Sequence, residues 1–134
     1  MCMAGGGVRE EAVDWWREAN HNLRQARKNF ELEEFSVAAF LSHQAAEKAL
    51  KALYIVVKSR LPPRGHDLLK LGRAVEASAI IDELRILNPH YTVARYPNAA
   101  NTVPSELYSR EMASRCVEAA ERVLRWVKEL GKLP

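Results

Sequence analysis

Residues 35–59, FSVAAFLSHQAAEKALKALYIVVKS, decide the fold of this chain. Projected at about 100° per residue, their apolar side chains cover about half of the circumference of one helix. These side chains are Leu41, Ala52, Ala45, Ala38, Val56, Ala49, Leu53, Ala46, Val57 and Leu50. An apolar arc of that width must contact two or more neighbouring helices, so it predicts the central helix of a bundle. Its many alanines allow those neighbours to approach closely.

The other face of the same helix carries His43, Glu47 and Lys51, which recur at i, i+4 and i+8. Glu47 precedes Lys51 by four residues, which is the favourable order for an ion pair on a helix. This face can line a polar groove. An ordinary solvent-exposed stripe and the seam of a dimer are the alternatives that the pattern leaves open.

A long helix is also predicted before the central one, beginning at Arg9. Its apolar residues follow spacings of four and three, the pattern of an amphipathic helix. They are Ala12, Trp16, Ala19, Leu23, Ala26 and Phe30. Residues 1–8 carry no such pattern, and we expect them to form a disordered tail. The chain has 134 residues, the length of one domain, which we place at residues 9–134.

Prolines and glycines divide the rest of the chain. The connection Arg60-Leu61-Pro62-Pro63-Arg64-Gly65 ends the central helix. Asp67 is then expected to cap a short helix from Leu68 to about Glu76, and a second short helix is expected from Ser78 to Leu87.

The last third of the chain is predicted to hold a long loop and a long helix. Residues 88–104 contain three prolines and no apolar periodicity, so we expect a functional or disordered loop. Ser105 is expected to cap a final helix that runs to about Leu130. Its apolar stripe is Ala113, Cys116, Ala120, Val123 and Val127. Three long and two short helices, without a strand pattern, predict an all-α, up-and-down bundle of about five helices.

The charge of the chain is mildly positive, with 20 Lys and Arg residues against 17 Asp and Glu residues. That balance alone does not indicate a nucleic-acid or membrane partner. Arginine outnumbers lysine by 13 to 7, which suits contacts with phosphate or carboxylate. The same excess, with only two glutamines, also suits the surface of a protein from a thermophile.

Cysteine usage and hydropathy further restrict the class of protein to which this chain can belong. Cys2 and Cys116 have no CxxC partner, so neither a zinc site nor a disulfide framework is expected. No apolar run reaches the roughly 18 residues of a membrane span. The first residues lack the apolar core of a signal peptide. We therefore expect a soluble, cytoplasmic protein with no membrane partner.

Established catalytic motifs are not found in the sequence. It contains no phosphate-binding GxxxxGK[ST], no dinucleotide-binding GxGxxG, no HExxH and no GxSxG. Its three aspartates are scattered, and Glu18-x-x-His21 is a single Glu-x-x-His pair where a diiron bundle needs two. We expect neither a metal site nor a cofactor.

Two connections can carry binding chemistry. Arg60 and Arg64 flank stiff prolines, and His66 lies at a helix start, where backbone amides favour an anion. A solvated turn with His66 capping its own helix is the alternative. In Tyr91-Thr92-Val93-Ala94-Arg95-Tyr96-Pro97-Asn98, the arginine can clamp a phosphate and a tyrosine can stack on a base. Tyr91 and Tyr96 can equally pin this loop onto the bundle, and both interpretations can hold together.

Four stretches of the sequence match a known family in their order along the chain. They are Trp16-Arg17-Glu18-Ala19 with Leu23 and Ala26, then His43-Gln44-Ala45-Ala46-Glu47-Lys48-Ala49-Leu50-Lys51-Ala52, Gly65-His66-Asp67-Leu68-Leu69-Lys70-Leu71 and Arg95-Tyr96-Pro97-Asn98. Together they resemble the HEPN family, small helical prokaryotic proteins related to the substrate-binding domain of kanamycin nucleotidyltransferase. The resemblance covers about residues 12–128, and its second and fourth stretches are the most specific.

The resemblance implies a five-helix up-and-down bundle that usually forms a homodimer and binds a nucleotide or RNA. Many members are encoded beside a minimal nucleotidyltransferase, in pairs that look like toxin–antitoxin modules. In this sequence we expect His43, Lys51, His66, Arg95 and Tyr96 to form the site. Lys51 and Arg95 would neutralise phosphate, His66 would donate a hydrogen bond, and Tyr96 would stack on a base.

The ribonuclease branch of the family is implied less directly. That branch uses an Arg-x(4–6)-His motif, typically with a polar residue after the arginine. Arg60-x5-His66 and Arg85-x4-His90 fit the spacing, but Leu61 or Ile86 follows the arginine. Neither pair lies in the last long helix, where the motif is expected.

Three hypotheses follow from the sequence. The first is a nucleotide- or RNA-binding homodimer that docks a separate minimal nucleotidyltransferase. The second is a metal-independent RNA endonuclease that uses Arg60 and His66, the better of the two pairs. The third is a non-catalytic interaction protein whose dimer seam uses the polar face of the central helix.

Overall fold

The computed structural model describes residues 9–97 and 101–134, in which seven α-helices follow one another. In chain order they are α1 Arg9–Glu31, α2 Phe35–Lys58, α3 Leu68–Ala74, α4 Ile81–Leu87, α5 His90–Val93, α6 Pro104–Leu107 and α7 Arg110–Gly131, with a 3₁₀ turn at Ser78–Ile80. No strand occurs in the described ranges. The predicted all-α bundle is confirmed. The predicted tail, residues 1–8, lies outside the described residues, as do Asn98, Ala99 and Ala100 of the predicted loop.

Helix α2 is the centre of the bundle, as its wide apolar arc predicts. It packs along α1 on one side and along α7 on another, and α3 and α5 contact it as well. Its alanines are fully buried at positions 38, 39, 45, 46, 49 and 52, which lets the flanking helices approach closely. Val57 departs from the prediction, because at 52% exposed it extends beyond the neighbours that cover the rest of the arc.

Local signals explain where α2 ends and α3 begins. Ser59 adopts a left-handed conformation with φ of 55°, and its amide bonds the carbonyl of Ile55. Asp67 caps α3 as predicted, because its carboxylate accepts hydrogen bonds from the amides of Leu69 and Lys70. The Lys70 amide, as the largest cause, lowers the pKa of Asp67. Helix α3 ends at Ala74 rather than near Glu76, which has a φ of 55°.

The predicted long loop and the start of the last helix need correction. Residues 90–93 of the predicted loop form the single turn α5. Ser105 does not cap the last helix, because it lies inside α6, which Pro104 begins. The chain extends at Tyr108, whose ring is buried, and Ser109 then caps α7 by accepting from the Met112 amide. The buried tyrosine thus splits one predicted helix into two.

Candidate functional site

The polar face of α2 is buried. The side chains of His43, Glu47 and Lys51 are almost fully removed from solvent. The structure therefore excludes the solvent-exposed stripe that the periodicity left open. The cover comes from His66, in the connection after α2, and from Tyr91 on α5, which both contact this face.

Glu47 is the centre of a buried polar network. One carboxylate oxygen, Oε2, lies 3.0 Å from Nζ of Lys51, and the other, Oε1, lies 2.8 Å from Nδ1 of His66. The Lys51 ammonium also lies 5.3 Å from the centroid of the Trp15 ring. Both oxygens of the buried carboxylate are therefore satisfied, as a buried charge requires.

His43 holds the backbone of the same connection. Its Nε2 donates to the carbonyl oxygen of His66 over 3.0 Å, and because a carbonyl only accepts, this nitrogen carries the proton. Burial lowers the pKa of His43, so the ring is neutral near pH 7. His66 is thus held at two points, its backbone by His43 and its ring by Glu47.

Four planar side chains form a column next to this network, and we call them the stack: His66, Tyr91, Arg95 and Tyr96. The rings of His66 and Tyr91 are 3.9 Å apart with an angle of 13° between their planes. The Arg95 guanidinium lies 4.1 Å from the centroid of Tyr91 and 4.8 Å from that of Tyr96. Attraction between the cation and the ring faces holds the arginine in place.

Hydrogen bonds fix the guanidinium further. Nε of Arg95 donates to the Tyr91 carbonyl over 2.9 Å, and Nη2 donates to the Tyr96 hydroxyl over 2.9 Å. The outer members of the stack stay open to solvent, with 45% of the His66 side chain and 46% of Tyr96 exposed. The stack therefore presents planar faces and a cation at the protein surface.

The structure brings the five predicted site residues into one region, but in two layers. His43 and Lys51 lie in the interior and contact His66 directly or through Glu47. His66, Arg95 and Tyr96 reach the surface. The sequence reasoning named Glu47 and Tyr91 without assigning either to the site, although Glu47 joins the layers and Tyr91 contacts both His66 and Arg95. Their only signals were the i, i+4 spacing to Lys51 and the tyrosine–arginine loop.

The Arg/His pairs of the endonuclease hypothesis are not joined by hydrogen bonds in the described ranges. Arg60 donates through Nε to the Tyr54 hydroxyl over 3.0 Å. Arg85 pairs with Asp82 on the surface. Nδ1 of His90 shares a hydrogen bond with the Tyr108 hydroxyl instead, and burial lowers the pKa of His90 to about 4.

Other surface features are separate from the stack. A cleft of about 630 Å³ along α1 is lined by side chains of both charges, among them Arg17, Glu18 and His21, and holds none of the predicted site residues. Among residues 9–97 and 101–134, His, Cys, Asp and Glu side chains form no group of three that could hold a metal ion. A helix with the length and apolarity to cross a bilayer is also absent from that part of the chain.

Comparisons with known proteins agree with this fold. A sequence model of the HEPN domain family matches residues 12–130. The crystal structure of TT1696 from Thermus thermophilus is 31% identical, with a TM-score of 0.81 over 88% of this chain and 96% of that one. The crystal structure of ST0689, an archaeal HEPN homologue, is 33% identical, with a TM-score of 0.77 over 90% of this chain and 97% of that one. No curated protein matches significantly.

Proposed function

The chain belongs to the HEPN domain family, and from this premise we propose that the stack binds a nucleotide or one nucleotide unit of RNA. The family is associated with nucleotide- and RNA-related roles. The observation that carries the proposal is the column of His66, Tyr91, Arg95 and Tyr96, which presents a fixed cation between aromatic faces at the surface.

Arg95 is the proposed phosphate ligand. A guanidinium has five N–H donors, and only two of those of Arg95 have hydrogen-bond partners among the described residues. The remaining donors suit the bidentate geometry of a phosphate. Since Tyr91 and Tyr96 already order the guanidinium, binding costs little side-chain entropy.

The exposed ring faces are the proposed base platform. A nucleobase can stack on the open face of His66 or of Tyr96, and such stacking contributes about 1–3 kcal/mol per base. His43 and Lys51 are buried, so we assign them to holding His66 and Glu47 in place rather than to direct phosphate contact. The site thus has an interior support and an exposed binding layer.

Isothermal titration with AMP, GMP, CMP, UMP and a short RNA tests this proposal. Arg95→Ala removes charge-assisted hydrogen bonds, so we expect affinity to fall about tenfold or more. Arg85→Ala is the matched control, because Arg85 is 66% exposed and its one ion pair among the described residues is with Asp82. Equal affinities of the two variants would contradict the placement. Absence of any binding by the unchanged protein would favour the third hypothesis, a non-catalytic interaction protein.

The oligomeric state and the partner extend the proposal. We infer from the family resemblance a homodimer that docks a separate minimal nucleotidyltransferase, in a pair that acts as a toxin–antitoxin module. Light scattering at micromolar concentration tests the dimer, and co-purification with the product of a neighbouring nucleotidyltransferase gene tests the partner. A monomer, or a partner that does not co-purify, would contradict the corresponding part.

A metal-independent endonuclease is the second candidate, favoured by one contact. The carboxylate of Glu47 lies 2.8 Å from His66, and a carboxylate-oriented, half-exposed histidine is suited to proton transfer near neutral pH. Incubation of RNA with the purified protein in EDTA tests it. RNA cleavage that is abolished by His66→Ala would support the endonuclease. Intact RNA would contradict the endonuclease and leave nucleotide binding as the remaining proposal.

A further inference from the structure

Building on the proposed nucleotide site, we infer that the stack discriminates ribonucleotides from deoxyribonucleotides through Nε2 of His66, which accepts a hydrogen bond from a ribose hydroxyl. Glu47 is the positioning residue for this contact, because it fixes which nitrogen of the ring carries the proton. This reverses the role expected from the sequence, in which His66 donates to a phosphate.

The proton position follows from the partner of Nδ1. The atom 2.8 Å from Nδ1 is a carboxylate oxygen of Glu47, and an ionised carboxylate only accepts hydrogen bonds. Nδ1 of His66 therefore donates. Lys51, 3.0 Å from the other carboxylate oxygen, already balances the charge of Glu47, so this arrangement does not require a cationic His66.

The opposite nitrogen is then an acceptor. A neutral imidazole has one N–H, and when it lies on Nδ1, Nε2 presents a lone pair. Nε2 has no hydrogen-bond partner among the described residues, while 45% of the side chain is exposed. A phosphate oxygen is also an acceptor and would be repelled there. The ligand group at Nε2 must be a donor.

The geometry of the stack selects a hydroxyl over the edge of a base. The lone pair of Nε2 lies in the plane of the His66 ring, which is within 13° of the plane of Tyr91. A base that stacks in this column lies in a parallel plane, so its own N–H donors point past that lone pair. Ribose hydroxyls project out of the base plane and can reach Nε2 while the base is stacked.

Neither the ring nor the backbone of His66 is free to turn away. His43 holds its carbonyl oxygen at 3.0 Å, Glu47 holds Nδ1, and Tyr91 lies under the ring face. Turning the ring over would bring the carbon Cδ2 against the carboxylate and would break the present hydrogen bond. The acceptor is therefore presented in one orientation.

Paired titrations at pH 8 test the inference with AMP, GMP, CMP and UMP against their 2′-deoxy and 3′-deoxy forms. We expect the 2′-deoxy series to bind about threefold to tenfold more weakly than the ribonucleotides, the loss of one partly exposed hydrogen bond. A loss confined to the 3′-deoxy series would overturn the inference. Equal affinity for all three series would overturn this inference and leave the proposed function standing. Failure of every nucleotide to bind would overturn both.

A second measurement needs no ligand. Long-range ¹H–¹⁵N NMR of the free protein at pH 8 reports the tautomer of His66, and we expect the proton on Nδ1. A proton on Nε2 would overturn the inference. Glu47→Gln no longer fixes the proton on Nδ1 of His66, since an amide can donate or accept. We therefore expect this variant to bind ribonucleotides and deoxyribonucleotides with nearly equal affinity. Glu18→Gln, at an exposed ion pair with Lys48, is the matched control and should keep the ribose preference.

Discussion

Two histidines of this fold each bond one side chain through Nδ1, in different surroundings. His66 bonds the carboxylate of Glu47 and leaves nearly half of its side chain in solvent. His90 bonds the hydroxyl of Tyr108, and burial lowers its pKa to about 4. The two histidines differ in what surrounds their partners. The Glu47 carboxylate orients a ring that stays open to solvent, whereas the Tyr108 hydroxyl belongs to a buried side chain.

The two pairs also differ in their further contacts. Glu47 forms an ion pair with the buried Lys51, and His66 stacks on Tyr91 as a member of the stack. Around the second pair, burial is the largest cause that raises the pKa of Tyr108 and raises that of Cys116 to about 12. The first pair thus joins a buried ion pair to the exposed stack, and the second joins α5 to Tyr108, which lies between α6 and α7.

The largest expected effect comes from the buried charge of Glu47, in the first pair. Glu47→Leu leaves the buried Lys51 without its anion, and removing one member of a buried ion pair costs about 3–5 kcal/mol. We expect a loss of free energy of unfolding at the lower end of that range, about 3 kcal/mol, in urea denaturation.

The double variant Glu47→Leu/Lys51→Met is the control for that loss. It removes both charges and fills the space with apolar groups, so most of the lost free energy of unfolding should return. A double variant as unstable as the single one would show that the Lys51 charge is not the cause.

The next effect concerns pH and reports on His90. Its folded pKa of about 4 is below the unfolded value of 6.5, so the unfolded state binds the proton more readily. Stability from this group is complete above pH 6.5 and is lost as the pH falls towards 4. Between pH 7 and pH 4.5, we expect the free energy of unfolding of the unchanged protein to fall by about 2 kcal/mol more than that of His90→Gln, measured by urea denaturation.

The pH experiment has a clear contrary outcome. If the unchanged protein and His90→Gln lose the same free energy between the two pH values, His90 is not buried as a neutral group. His43, whose pKa is also lowered, titrates in both proteins, and its charge also lowers the pKa of His90, so the difference between the two proteins includes this coupling.

Most of the fold could be predicted because helical periodicity is local. The spacing of apolar residues placed α1 and α2 within a residue or two of their observed ends and identified α2 as central. The start of α7 was missed because Ser105 and Ser109 both precede helical patterns. Tyr108 decides between the two serines, because its side chain is buried and bonds His90. Helical periodicity does not show such a long-range contact.

The residues proposed for the site could be named from the sequence, but their arrangement in space could not. Periodicity places His43, Glu47 and Lys51 on one face of α2, but it does not show what covers that face. The cover comes from His66 and Tyr91, which are 19 or more residues away in sequence from Glu47, the centre of the face. The burial of Lys51 and the stacking of Arg95 on Tyr91 depend on those contacts and needed the structure.

The smallest expected effect tests whether Tyr108 is purely structural. Tyr108→Phe removes the hydroxyl of a buried tyrosine that bonds His90, and the loss of that hydrogen bond costs about 1 kcal/mol. Tyr91→Phe is the matched control, because no hydrogen bond to the Tyr91 hydroxyl occurs within the described ranges and its ring stays in the stack. Thermal unfolding should distinguish the two, while nucleotide affinity should be unchanged in Tyr108→Phe. A loss of nucleotide affinity in Tyr108→Phe would mean that the second pair belongs to the site, because a partner that only supports packing cannot affect a ligand held at the stack.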